Sequence, residues 1–146
     1  MTARYDKYDG KVGGFRAPLN AAMTATSGPT ATSDLGRIYV MALNGSGRAI
    51  KAASAAAAVG VFIANYAMAV GDPADIMTDG EIVDITSDDI QGGTAPVAGT
   101  AYFYDSTASK LTATAPAAGA SGFYVGHTVE ATRLVVRCQR GAVTGT

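Results

Sequence analysis

The chain has 146 residues, a formal net charge of −1 and a single cysteine. That length fits one domain with an arm or tail, and near-neutral charge excludes a strong overall field for nucleic acid or an anionic membrane. A lone Cys138 excludes an intrachain disulfide and a multi-cysteine zinc site. The hydrophobic share of 48% overstates the core, because 29 of the residues are alanine and none is tryptophan. Alanine removes little apolar area from water, so the composition points to a thin core supplemented by oligomerisation or by binding to a larger surface.

Residues 1–35 mix charges with Gly13, Gly14, Pro18, Gly28 and Pro29, and hold no persistent period. They are expected to form an extended arm with too little apolar side chain to fold alone. Tyr5, Tyr8, Phe15 and Leu19 are the arm's anchors, docking on a neighbour or packing back on the same subunit. Docked on a neighbour, an extended arm of this kind can add a strand to an exposed sheet edge. On this reading deletion of residues 1–33 leaves a folded domain. The first stretch lacks the apolar segment of a signal peptide, and Ala52 to Val70, mostly alanine and interrupted by Asn65, is too weak for a membrane span. A soluble protein made in a cytoplasm is expected.

From residue 36 to 140 the pattern is short β segments with turn chemistry between them, followed by a flexible tail over 141–146. Arg37 to Leu43 predicts a strand ending at the turn Asn44-Gly45-Ser46-Gly47. Ile38, Val40 and Ala42 alternate there with Tyr39, Met41 and Leu43, so both faces are apolar. Either Tyr39, Met41 and Leu43 form a subunit interface, or a second core layer lies beneath the arm. Lys51 to Ala58 carries the best helix propensity in the chain. It predicts a short Ala-rich helix or helical turn, or else small residues admitting close approach of another chain.

Val59 to Ala64 predicts the next strand. Pro73 to Thr78 and Glu81 to Thr86 predict a hairpin joined through Asp79-Gly80, a dipeptide that tolerates positive φ. Thr100 to Tyr104 and Lys110 to Thr114 flank a polar loop, and Phe123 to Val129 and Arg133 to Gln139 form a last pair. In that last strand Leu134, Val136 and Cys138 alternate with Val135, Arg137 and Gln139, as in a half-buried strand. The fold class is mainly β, a small β-barrel or β-sandwich.

Charge is segregated along the chain. No Lys or Arg lies between Lys51 and Lys110, a stretch holding Asp72, Asp75, Asp79, Glu81, Asp84, Asp88, Asp89 and Asp105. Basic residues gather at the ends, Arg4, Lys7, Lys11 and Arg16, then Arg133, Arg137 and Arg140. This is an ordinary solvated surface, or head-to-tail complementarity between copies or with a partner.

Catalytic constellations are weak. A hydrolytic triad needs nucleophile, base and orienting acid together, and the one histidine, His127, sits within a strand where a structural role is expected. Cys138 alternates in phase with apolar residues and is expected as a small core residue. Asp88-Asp89 and Asp72 with Asp75 lie in turns, where aspartate caps for local reasons, and no calcium-loop signature accompanies them. There is no P-loop, and Gly13-Gly14 and Gly92-Gly93 lack the strand-to-helix context of a phosphate cradle. Asn44-Gly45-Ser46 matches a glycosylation sequon but is explained by its turn. Arg4-Tyr5 and Lys7-Tyr8 have a trace of single-strand nucleic-acid chemistry, cancelled by Asp6 and Asp9. The expectation is a non-enzymatic protein without metal or cofactor, nucleic-acid partner or membrane partner.

The runs Ala55 to Ala64 (AAAAVGVFIA) and Val70 to Ile85 (VGDPADIMTDGEIVDI) look like those of small phage head-decoration proteins, in which a Gly-Val strand precedes a Gly-Asp…Gly segment. Ala98 to Asp105 (AGTAYFYD), Lys110 to Thr112, Val125-Gly126 and Leu134 to Arg137 fit the same layout. Over residues 37–139 the chain resembles the lambda-type capsid-stabilising proteins and the broader group of predicted β-barrel decoration proteins. The resemblance implies no catalytic residues. It implies a homotrimer at three-fold or quasi-three-fold positions on the outer capsid surface of a bacteriophage virion, with the N-terminal arm on the major capsid protein. A longer arm and the Ala-rich insert depart from the compact members. Two other classes stand beside capsid decoration (a cement role that stabilises the head). One is a β-sandwich carbohydrate-binding or host-adhesion module using Tyr102, Tyr104 and Tyr124. The other is a hydrolase using Asp88, Asp89 and His127.

Overall fold

The computed structural model describes residues 3–5, 13–24, 34–105, 110–117 and 121–144. The loop expected from Asp105 to Ser109, the anchor Tyr8 and the end of the C-terminal tail lie outside those residues or at their margin.

The fold is mainly β. The strands are β1 (Arg4–Tyr5), β2 (Gly13–Pro18), β3 (Tyr39–Leu43), β4 (Ala49–Lys51), β5 (Gly60–Phe62), β6 (Pro73–Val83), β7 (Ala101–Asp105), β8 (Lys110–Thr112), β9 (Ser121–Glu130) and β10 (Arg133–Thr144). They join in one curled sheet of order β4-β3-β5-β6-β10-β9-β7-β8, with β1 and β2 also paired to β6. Every named strand pair is antiparallel.

β6 is the spine. It is a continuous strand of 11 residues, so the hairpin expected at Asp79-Gly80 is not there. Gly80 instead has φ of 151°, a backbone region open to glycine alone, and the strand runs on through it. Phase changes around this point. Ala74 and Ile76 face one core, whereas Met77 and Ile82 face another. The Asp-Gly pair that favours a tight turn thus serves as an irregularity within a strand.

Residues 13–24, expected in the arm, belong to the sheet. Gly13 to Pro18 pair with Asp79 back to Pro73. Leu19 then bridges Ala49, and Met23 bridges Met68. Backbone pairing therefore runs in a closed circuit from β6 through β5, β3 and β4, across Leu19, to β2 and back. Inside it lies a second core of Ala17, Leu19, Met23, Met41, Ala49, Phe62, Ala64, Met68, Ala74 and Ile76.

The main core lies on the other side of β3 and β5. Val40, Ala42, Val61 and Ile63 meet Ile82, Tyr102, Tyr104, Leu111, Phe123, Val125, Leu134 and Val136 there. Each large side chain removed from water stabilises by about 1.5–3 kcal/mol, so the few that are present carry most of the fold. The middle of β3, Val40 to Ala42, is thus buried on both faces, which explains most of its two-sided apolar pattern within the chain and leaves Leu43 exposed.

The Ala-rich segment yields no α-helix, only the strand β4 and one 3-10 turn, Ala55–Ala57. Ala52 and Ala58 are buried in the main core, and the Tyr104 hydroxyl donates to the Ala52 carbonyl. Small side chains let the 3-10 turn lie close against β9 and β10. The turn from β3 to β4 forms as its sequence predicts. Asn44 Oδ1 accepts from Ser46 N at 2.9 Å and Arg48 N at 3.0 Å, and Gly47 takes φ of 75°.

Candidate interaction surface

The anchors and interface residues expected from the sequence separate into two groups. Leu19 and Met41 are buried in the second core. Tyr39 is half-buried against that core, its hydroxyl donating to Asp34 Oδ1 at 2.8 Å and its ring lying 4.1 Å from Lys51 Nζ. Burial, together with the Asp34 carboxylate, pushes the Tyr39 phenol well above its ordinary range. Burial also opposes ionisation of Asp34, yet bonds from Lys51, Tyr39 and Thr24 N outweigh it and hold the carboxyl below the usual range. Phe15 and Leu43, by contrast, are 37% and 42% exposed. The Tyr5 side chain and all of Tyr8 lie outside the described residues.

Phe15 stands beside a groove of about 430 Å³ lined by Gly13, Gly14, Phe15, Arg16, Asp75, Ile76 and Met77. The paired glycines leave it open. A Cβ on Gly14 would come within 2.0 Å of the Ile76 carbonyl oxygen, so glycine is required there for β2 to approach β6. Arg16 closes the groove's polar side with a forked bond to Asp75, Nε to Oδ1 at 2.8 Å and Nη2 to Oδ2 at 3.3 Å. A smaller recess of about 130 Å³ shares Asp75 and is lined by Phe62, Tyr66, Met68 and Pro73 among others. Tyr66 is 66% exposed and lies near Arg16. An exposed phenylalanine and tyrosine around an arginine–carboxylate pair is the composition that concentrates binding energy in protein interfaces. Tyr66 was not singled out in the sequence. Its signal was an aromatic following Asn65, just past the apolar run of β5.

The candidate chemical residues do not converge. Asp89 is 2% exposed and accepts from Ile38 N and Thr86 N, each at 3.1 Å. Asp88 pairs with Arg37 at 2.8 Å. His127 Nδ1 lies 3.5 Å from the Tyr124 hydroxyl, on β9. Cys138 packs against the main core, and burial pushes its thiol up to about 12. Among the described residues no group of three or more His, Cys, Asp or Glu is placed to hold a metal ion. Nor does any helix reach the length and apolarity needed to cross a membrane.

The aromatic platform that sugar binding would need is not formed. Tyr102 and Tyr104 share a strand face, as expected, but it is the inner one, and both are buried. Tyr124 is half-buried against Phe103, with ring centroids 5.6 Å apart and edge to face. Among the described residues the arginines are already engaged. Arg16, Arg37, Arg133 and Arg137 each bond a carboxylate, and Arg48 donates to the Leu19 carbonyl at 3.3 Å.

No family model matches the sequence, and no curated protein matches it. The solved structures give a match of another kind. A chain from Mycobacterium phage Patience superposes with a TM-score of 0.68, covering 96% of this chain and 97% of that one. The two share a fold. At 18% identity the likeness is one of architecture, over nearly all of each chain.

Proposed function

We propose that this protein is a non-enzymatic structural component of a phage particle, a decoration protein that binds the outer surface of the head and stabilises it. The observation that carries the reading is the phage origin of a chain sharing this fold almost end to end. The scattered chemical residues and the buried tyrosines favour it over an enzyme or a sugar-binding module. The partner in this reading is the major capsid protein, and the assembled form is a homotrimer. Of the contacts expected from the sequence, Phe15 and Leu43 are the described side chains with apolar surface left to offer. Leu19, Tyr39 and Met41 serve by holding the fold that presents them.

The test is to mix purified protein with phage heads that lack it, sediment the heads, and measure their resistance to heating. Saturable co-sedimentation and a raised disruption temperature are expected. Heads that sediment bare at micromolar protein would overturn the reading.

A further inference from the structure

Among the described residues, glycine follows an asparagine or aspartate at Asn44-Gly45 and at Asp79-Gly80. Such pairs can cyclise, because a glycine nitrogen has no side chain beside it to hinder attack on the preceding side-chain carbonyl. The fold treats the two pairs oppositely. Gly80 is buried in β6 opposite Val136, and Asp79 is paired with Arg137. In the turn between β3 and β4 the reacting atoms are open. Gly45 and Ser46 are exposed, and Gly45 N has no hydrogen-bond acceptor among the described residues. The Asn44 side chain is folded forward over the Gly45 peptide, because its Oδ1 accepts from Ser46 N at 2.9 Å and Arg48 N at 3.0 Å. Nδ2, on the other arm of the same amide, donates to Asn20 Oδ1 at 3.2 Å.

We propose that Asn44 is a self-modifying site, where the folded turn promotes its own deamidation through a cyclic imide. Gly45 N gives its proton to hydroxide in the solvent and bonds to Asn44 Cγ. The electron pair of the Cγ–Oδ1 double bond moves onto Oδ1. The Ser46 and Arg48 amides, already aimed at that oxygen, receive the developing charge as an oxyanion hole does. The pair then returns, the Cγ–Nδ2 bond breaks, and the nitrogen leaves as ammonia after taking a proton from water. Water next opens the imide at one of its two carbonyls. Opening at Cγ gives an ordinary aspartate, and opening at the backbone carbonyl gives isoaspartate. The net reaction consumes water and releases ammonia, and nothing is oxidised or reduced.

The two products differ in what they do to the turn. An aspartate keeps an acceptor oxygen for both amides, and the Asn20 amide can turn over to donate to it. An isoaspartate routes the backbone through the side-chain carbons and lengthens the turn. That lengthening falls between Leu43, which pairs with Ala49, and Gly47, whose φ is 75°. Conversion to isoaspartate should therefore loosen the end of the β3–β4 pair and the exposed Leu43 with it.

Peptide mapping by mass spectrometry, on the whole protein held in mildly alkaline buffer, tests the site against the same chain in urea. Asn44 should convert in the folded protein on the timescale of the unfolded chain, faster as pH rises, and yield both products. Asn20 and Asn65, followed by Ala21 and Tyr66, should stay intact, and Asp79 should keep its normal linkage. Gly45 does not have positive φ, and a Cβ there would meet nothing within 4 Å. Gly45→Ala should therefore melt as the wild type does and lose the product, because the methyl group hinders the attacking nitrogen. Should its melting change, the isoaspartate of the wild type decides alone, since direct hydrolysis of the side-chain amide yields aspartate only. Folded protein that keeps Asn44 intact while the urea sample converts would overturn the proposal. So would undiminished conversion in Gly45→Ala, or a wild-type product free of isoaspartate.

Discussion

Arg16 on β2 and Asp75 on β6 stand directly opposite one another in the strand register, and their side chains meet at 2.8 Å. Arg137 and Asp79 are related in the same way across β10 and β6. Arg133 reaches both Glu81, at 3.8 Å, and Glu130, at 3.4 Å. The acid-rich middle of the chain and its basic ends are therefore complementary within one molecule. β6 carries the carboxylates, and the two strands that flank it bring the cations.

These pairs are exposed, with side chains of Arg16 and Asp75 67% and 69% accessible. Water and salt screen such contacts, so their use lies in favouring one register over another more than in strength. A double-mutant cycle of Arg16→Ala and Asp75→Ala, read by thermal melting, should give a small coupling that fades as salt rises. A large coupling that salt leaves unchanged would contradict this.

Gly80 should be far less replaceable than Gly47. Both have positive φ, 151° and 75° respectively. Around Gly47, in an exposed turn, an added Cβ would meet nothing within 4 Å. Gly80 is buried in β6 opposite Val136, in a region that side chains do not adopt. Gly80→Ala should cost about 1–3 kcal/mol in urea unfolding. Gly47→Ala should cost about 1 kcal/mol, the left-handed penalty alone. Equal costs would mean that β6 straightens without strain.

Much of the sheet was legible in the sequence and some was not, for identifiable reasons. The alternation of Leu134, Val136 and Cys138 marked the inner face of β10, because that strand has one wet face. Asn44 to Gly47 marked its turn, because side chain and glycine there serve only local geometry. Asp79-Gly80 misled because the same dipeptide fits a turn or a strand irregularity, and only the partners β2 and β10 decide. The N-terminal region misled for a related reason. Gly13, Gly14 and Pro18 depress strand propensity, yet Gly14 is needed for close approach to Ile76 and Pro18 lies at the end of its strand. Phe15 was visible as an anchor, whereas the groove beside it and the exposure of Tyr66 depend on how β2 meets β6.

Cys138 should be inert in the native protein. Its thiol is pushed up to about 12, chiefly by burial and further by Asp79, so little thiolate forms near neutral pH. A thiol reagent at about pH 8, near the pKa of an unperturbed thiol, should label it slowly in buffer and fast in denaturant. Rapid stoichiometric labelling of folded protein would place the sulfur in contact with solvent.

The last prediction concerns the N-terminal region, whose removal the sequence alone led one to expect the fold to survive. Leu19 is fully buried, and with Ala17 and Met23 it supplies one wall of the second core. Its backbone also ties the ring together, donating to the Asp72 carbonyl at 2.9 Å and accepting from Gly71 N at 2.8 Å. Leu19→Ala should therefore destabilise by about 2–5 kcal/mol, the range for a buried leucine replaced by a cavity. Phe15→Ala, at a largely wet position, should cost much less. Deleting residues 1–24 removes the partner of β6 from Pro73 to Asp79 and uncovers Met41, Phe62 and Ile76 together, so the truncated chain should be aggregated or unfolded by circular dichroism and size-exclusion chromatography. A truncated protein that stays monomeric with a native-like spectrum would show that the sheet holds without its N-terminal strands.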